Sequence, residues 1–145
     1  MDTFAPVAKL PALHILLAIA ASEDLEIHQM DVVTAFLIPD LEEEIYMEQP
    51  EGFEMKEGMV CKLQKRLYGL KQSARIWNTH LCRYLKSVNF QQSSCDPCIY
   101  INNSTGVIIA VWVDNLIILG KDLNSIDKVK EGLRAEFEMK DLGEL

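Results

Sequence analysis

The chain has 145 residues, 49% of them hydrophobic and 25% charged, so it suits one domain with a real core and excludes a disordered polyanion or a disulfide-stapled miniprotein. The net charge of −8 argues against a nucleic-acid footprint spread over the whole surface. The charge is unevenly distributed, however. Residues 22–57 carry twelve acids and one base, Lys56, whereas residues 58–95 carry seven bases and no acid. Such asymmetry suggests one face that meets a polyanion, and a solvated helix surface explains it equally well. The longest apolar run, residues 13–21, includes His14 and is too short to span a bilayer, and the start lacks a basic signal-type region. The chain is therefore expected to be soluble and intracellular.

In chain order, Pro11 sits where a first-turn proline belongs, and residues 12–22 predict a helix that is apolar nearly all round and hence buried. Residues 26–32 alternate loosely and predict a strand with Asp31 at its end. Residues 33–37 form a turn or short helical piece stopped by Pro39. Residues 44–48 and 60–63 predict two short strands around a loop. Trp77, Leu81, Leu85 and Val88 recur at helical spacing within residues 72–88, with Arg75, Arg83 and Lys86 on other faces. A strand over 98–101 and a turn over 102–106 follow. Residues 107–120 then read as two β-branched arms around a tight turn at Asp114-Asn115. A second amphipathic helix covers 124–137, with Ile126, Val129, Leu133 and Phe137 inward, Asn124-x-x-Asp127 as its cap, and Gly132 weakening it by about 1 kcal/mol. Residues 138–140 start a last strand.

This order predicts an α+β fold, an antiparallel sheet with helices packed on one face. In that layout Asp31 can lie beside the hairpin tip carrying Asp114. Two converging carboxylates repel each other unless a hard divalent cation, magnesium for phosphate chemistry, sits between them. The plain alternatives are that Asp31 caps the next turn and that Asp114 is turn chemistry. Cys95-Asp96-Pro97-Cys98 is the single CxxC. Without a second such pair it favours buried reduced thiols over a zinc or redox site.

Several separated blocks resemble one family. They are Thr3-Phe4-Ala5-Pro6-Val7-Ala8, His28-Gln29-Met30-Asp31-Val32-x-Thr34-Ala35-Phe36-Leu37, and residues 40–53 (Asp-Leu-Glu-Glu-Glu-Ile-Tyr-Met-Glu-Gln-Pro-x-Gly-Phe). Further blocks are Leu67-Tyr68-Gly69-Leu70-Lys71-Gln72-Ser73-x-Arg75-x-Trp77, Asp96-Pro97-Cys98-Ile99-Tyr100 and residues 137–143. Together, and in this order, they resemble the reverse transcriptase of copia-type LTR retrotransposons.

The resemblance implies the palm of a right-hand polymerase, a ferredoxin-like sheet backed by helices, with part of the fingers. It implies RNA-directed DNA synthesis by nucleotidyl transfer. Asp31 and Asp114 match the two catalytic aspartates, holding magnesium, with manganese as the alternative, and the Val32 carbonyl completes one ion's shell. Asn115 stands where the family usually has a third acid, keeping its shape and losing its charge. Phe36 matches the aromatic that selects deoxynucleotides by clash, with core packing as its plain reading. Ala35, Tyr68, Gly69, Lys71 and Gln72 fall at nucleotide-binding positions, and Arg75, Lys71 and Trp112 at nucleic-acid-binding ones. The implied partners are an RNA or DNA template-primer, deoxynucleoside triphosphates and the remaining polyprotein, in the cytoplasm (virus-like particles) or nucleus, with no membrane. The family's upstream basic segment, thumb and RNase H have no counterpart in these residues, so the chain is expected to be a fragment or relic with little polymerase activity. The alternative is a catalytically dead remnant kept as a binding module.

Overall fold

The computed structural model describes residues 7–33, 46–53, 55, 58–62 and 71–145, with backbone alone for 71–73. The element order is α1 (Leu10–Glu23), β1 (Glu26–Val32), β2 (Tyr46–Glu48), β3 (Val60–Lys62), α2 (Lys71–Ser87), β4 (Gln91–Gln92), β5 (Ile99–Ile101), β6 (Ile108–Trp112), β7 (Asn115–Gly120), α3 (Leu123–Glu136) and β8 (Met139–Glu144). Strands β4-β5-β6-β7-β1-β8 form one sheet in that order, each antiparallel to its neighbours, and β2 pairs with β3 separately. The expected α+β class and antiparallel sheet are borne out.

The central strands explain why their sequences read as unbroken apolar runs: both of their faces are covered. Ile109 and Val111 of β6, Leu116 and Ile118 of β7, and Met30 and Val32 of β1 point to one side. There they meet Trp77, Leu81 and Leu85 of α2 and Ile126 and Leu133 of α3. The alternate residues Ala110, Leu119, Ile27 and Ile117 point to the other side, where Leu16 and Ala20 of α1 cover them. The expectation of helices on one face is therefore corrected: α2 and α3 pack on one, α1 on the other. The expectation that α1 is buried all round is corrected too. Its Pro11 start is as expected, but it touches the sheet with one side only, leaving Leu10 and Ile15 54% and 60% exposed.

Three smaller departures have local causes. α2 stops at Ser87, so Val88 faces outward; the chain reverses through Asn89 (φ 67°) and buries Phe90 instead. The cap of α3 is Asp122 rather than Asn124, its carboxylate accepting from the amides of Asn124 and Ser125 and from the Ser125 hydroxyl. Gly132 is more than a weak helix former. A Cβ there would come within 2.5 Å of the Tyr84 hydroxyl, where α2 and α3 meet.

β8 continues to Glu144 and closes the sheet beside β1. Leu142 is an extra residue between the Gln29↔Gly143 and Met30↔Asp141 pairs, and Gly143 takes φ 84° at this bulge. On the packed side, Lys130 of α3 is only 4% exposed. Its ammonium donates to His28 Nδ1 at 2.6 Å and to both Asp141 oxygens at 3.1 Å, while Arg134 also holds Asp141. This cluster ties α3, β1 and β8 together.

Candidate active site

The β6–β7 hairpin forms where expected, but its turn is displaced by one residue. Trp112 pairs with Asn115, so the two turn residues are Val113 and Asp114. Val113 takes φ 57°, a conformation that costs a β-branched residue about 1–3 kcal/mol. The sequence predicts the turn at Asp114-Asn115, residue types that tolerate positive φ; the structure puts the positive φ on valine. What holds it is an element from elsewhere in the chain. Buried Trp77 of α2 donates its indole N–H to the Val113 carbonyl at 3.0 Å. The helical spacing of Trp77 with Leu81 and Leu85 predicts a packing role and no such bond. The signal was that a buried indole needs an acceptor, though nothing in the sequence names which one.

Asp31 stands one residue before the end of β1, directly across from Asn115 of β7. The ladder continues past this pair, with the Val32 amide donating to the Asp114 carbonyl at 3.0 Å. Strand alternation puts Gln29 and Asp31 on the same face as Ile27, and Asn115 on the same face as Ile117. That is the α1 face, but the apolar cluster under α1 ends at Ala110 and Ile117. The next residues toward the tip on that face, Trp112 and Asn115, lie beyond it. Trp112 is 38% exposed, and Asp31, Asp114 and Asn115 are half-buried.

The polar groups at this end are linked. Gln29 Nε2 donates to Asn115 Oδ1 at 3.0 Å, and Asn115 Nδ2 donates to Asp114 Oδ1 at 3.1 Å. Among the described residues no ion pair engages Asp31 or Asp114. Two carboxylates with oxygen donors, at adjacent strand ends and without a cationic partner among those residues, suit a hard divalent cation. No group of three or more His, Cys, Asp or Glu fit to hold a metal occurs among the described residues.

The structure thus brings Asp31, Val32, Asp114, Asn115 and Trp112 to one end of the sheet. Arg75 lies exposed on α2, two residues from Trp77. Ala35, Phe36, Tyr68 and Gly69 lie outside the described residues, as do the 33–37 helical piece beyond Val33 and the side chains of Lys71 and Gln72. The CxxC is not a paired centre. Cys95 is exposed and Cys98 is buried, its thiol pushed up to about 11 by burial and then by Asp96. Asp96 is itself buried, accepting from the amides of Cys98 and Lys9 and so anchoring the start of α1 to β5. No helix among the described residues is long and apolar enough to cross a membrane.

The family described as reverse transcriptase (RNA-dependent DNA polymerase) matches residues 1–145. The retrovirus-related Pol polyprotein from transposon TNT 1-94 of Nicotiana tabacum is 48% identical over 98% of the chain, and that from transposon RE1 of Arabidopsis thaliana 37% identical over 99%. A putative transposon Ty5-1 protein of Saccharomyces cerevisiae is 37% identical over 80% of the chain. The chain spans 11% and 10% of the two plant polyproteins and 39% of the yeast protein. The match over residues 1–145, together with these relatives, makes this a member of the reverse transcriptase family, in the branch of the copia-type retrotransposon polyproteins.

Proposed function

We propose that the chain is the palm, with part of the fingers, of a copia-type reverse transcriptase, and that Asp31 and Asp114 are its metal-binding acids for RNA-directed DNA synthesis. The observation that carries this reading is the register. Asp31 faces Asn115, and Asp114 follows at the Val32 amide, on the part of the sheet face that α1 leaves uncovered.

Bound magnesium or manganese would supply Lewis-acid stabilisation of the phosphoryl oxygens and acidify the primer 3′-hydroxyl. The residues of the chain do the rest. Asp31, Asp114 and the Val32 carbonyl supply oxygen donors from two adjacent strands. The exposed ring of Trp112, next to them on the same face, offers a stacking surface to the template-primer. Ala35, Phe36, Tyr68, Gly69, Lys71 and Gln72 complete the nucleotide pocket in this proposal, and Arg75 with Lys71 supplies phosphate contacts. The rest of the polyprotein is the expected partner, since the relatives are about ten times longer.

With Asn115 in the third position, one charge fewer is available to balance the metals, so weak activity is expected. Primer extension on poly-rA with magnesium or manganese tests this. Incorporation should be low and should fall to background in Asp31→Ala, while Asn115→Asp should raise both incorporation and divalent affinity, the added charge outweighing the N–H to Asp114 that it removes. Incorporation insensitive to Asp31→Ala would refute the assignment. A second reading, an interaction module without catalysis, is favoured by the outward Leu10 and Ile15 of α1. Concentration-dependent sedimentation that ignores magnesium, with no Asp31-dependent incorporation, would select it.

A further inference from the structure

Asn115 is more than a missing acid. Its hydrogen bonds assign it something more specific. We propose that Gln29 and Asn115 form an amide relay that orients the Asp114 carboxylate, so that Gln29 is a positioning residue for the site. The inference rests on the reading of Asp31 and Asp114 as metal-binding acids.

The direction of the relay follows from what each group can do. The Asp114 carboxylate only accepts, so the NH2 end of the Asn115 amide must face it; the bond is 3.1 Å to Oδ1. That leaves the Asn115 oxygen pointing away. It is met by a donor, Gln29 Nε2, at 3.0 Å. Reversing either amide would set two donors or two acceptors against each other, so the orientation is dictated by the chain of partners and not by a choice between similar atoms.

The backbone makes the chain possible. Gln29 and Asp31 are two apart on β1 and share a face, and Asn115 stands across from Asp31, diagonal to Gln29. Gln29 is itself steadied from the other side, where it pairs with Gly143 at the bulge of β8.

Three consequences follow. One oxygen of Asp114 is committed to an N–H, which fixes the carboxylate rotor and directs its other oxygen outward. Asn115 has its oxygen engaged and its nitrogen turned to Asp114, so it orients a ligand and is not one. Gln29, which touches neither acid, controls the site through Asn115. Partners of this kind, one step removed from a metal, are commonly worth 10–100-fold in affinity.

The test uses the 145-residue chain with Mn2+ as the probe, titrated by the loss of the free-ion EPR signal. Nitrogen-resolved NMR of the side-chain amides and the thermal midpoint are read alongside. In Gln29→Leu the Asn115 amide protons should return to solvent-like shifts, and the Mn2+ affinity should fall about tenfold, at the low end of that range. The midpoint should move little. In an Asn115→Ala background, Gln29→Leu should cost nothing further, because the relay is already cut.

If Gln29→Leu leaves Mn2+ affinity within about twofold while Asp31→Asn abolishes binding, the site stands and the relay is refuted. Additive losses from the two substitutions would also refute it, since they would act separately. If Asp31→Asn leaves Mn2+ binding unchanged, the metal reading fails and the proposed role falls with it, a result set apart from the others by the Asp31 arm.

Discussion

The two faces of the six-stranded sheet are built from alternate residues of the same strands, yet they do different work. Toward α2 and α3 the side chains are large and fully enclosed: Met30, Leu116 and Ile118 are all inaccessible. Toward α1 the same strands offer enclosed Leu119 but also half-buried Ile27 and Ile117 and small Ala110, in an apolar cluster that does not extend to Trp112 or Asn115. Beyond that cluster the polar residues gather, half-buried. The packed face holds the strands in register, and the open face spends that register on bringing Asp31 opposite Asn115. Rigidity on one side is what allows a polar, half-buried cluster on the other.

Neighbouring residues of β7 face opposite ways and separate the two sides of the sheet most directly. Ile118→Ala on the packed side should cost about 3–4 kcal/mol, the transfer loss plus a cavity that two helices and a sheet cannot collapse. Ile117→Ala, half-buried beneath α1, should cost about 1–2 kcal/mol, because part of its surface already meets solvent. Urea denaturation measures both; equal losses would mean that α1 packs as tightly as α2 and α3.

The edge of the packed face gives the next effect. Lys130→Met removes the ammonium that joins His28 to Asp141 and should cost about 1–2 kcal/mol. That is less than a fully buried pair because Asp141 keeps Arg134 and some solvent. Burial pushes the Asp141 carboxyl up, but the Gly143 amide, Lys130 and Arg134 outweigh it and hold the carboxyl below its ordinary value. A depressed acid contributes stability above its unfolded pKa of about 4 and loses it as pH falls through the folded value. Asp141→Asn should therefore be less stable than the parent at pH 7 and should lose less on acidification from pH 5 to pH 3. Parallel pH profiles for the two proteins would contradict the assignment.

The same contrast explains what the sequence made legible. The arms of the hairpin, the basic outer side of α2 and the Asp31 strand could be read because β-branched runs and helical spacing record burial directly. Which face α1 takes could not, since a helix apolar all round carries no directional signal, and its exposed Leu10 and Ile15 look the same as its buried Leu16. Asp31 and Asp114 stand out in the sequence because carboxylates are unusual in or beside a strand, and the register sets them at neighbouring strand ends. Gln29 does not: a glutamine in an alternating strand reads as an ordinary polar position until its partner eighty-six residues away is known. The displaced turn belongs to the same class, because the backbone of Val113 is set by contacts that local preference cannot see.

Trp77→Phe separates the turn from the core beneath it. Phenylalanine keeps most of the edge-to-face contact with Phe137, whose ring centroid lies 4.9 Å from that of Trp77, but cannot donate to Val113. The loss should be about 1–2 kcal/mol, one hydrogen bond and some ring area, and Mn2+ affinity should fall with it if the tip has loosened. A full stability loss with unchanged affinity would make the indole a packing group only.

The smallest effect tests the strain itself. Val113→Gly removes the Cβ that disfavours φ 57° and would gain about 1–2 kcal/mol in the folded state. It also gives the unfolded chain more freedom, which takes back about 0.5–1 kcal/mol. The side chain is half-buried, so a further fraction of a kcal/mol of apolar burial is lost. These terms nearly cancel, and the expected change is within about 1 kcal/mol of zero, unlike a buried valine elsewhere in the sheet. Since Trp77 bonds the Val113 carbonyl and not its side chain, Val113→Gly combined with Trp77→Phe separates the two contributions. In the parent, a turn released by Trp77→Phe can relax its strain and so recovers part of the lost bond, whereas with glycine at 113 there is no strain to recover and Trp77→Phe should cost more. An equal cost in the two backgrounds would mean that the indole bond stabilises the fold without restraining the turn.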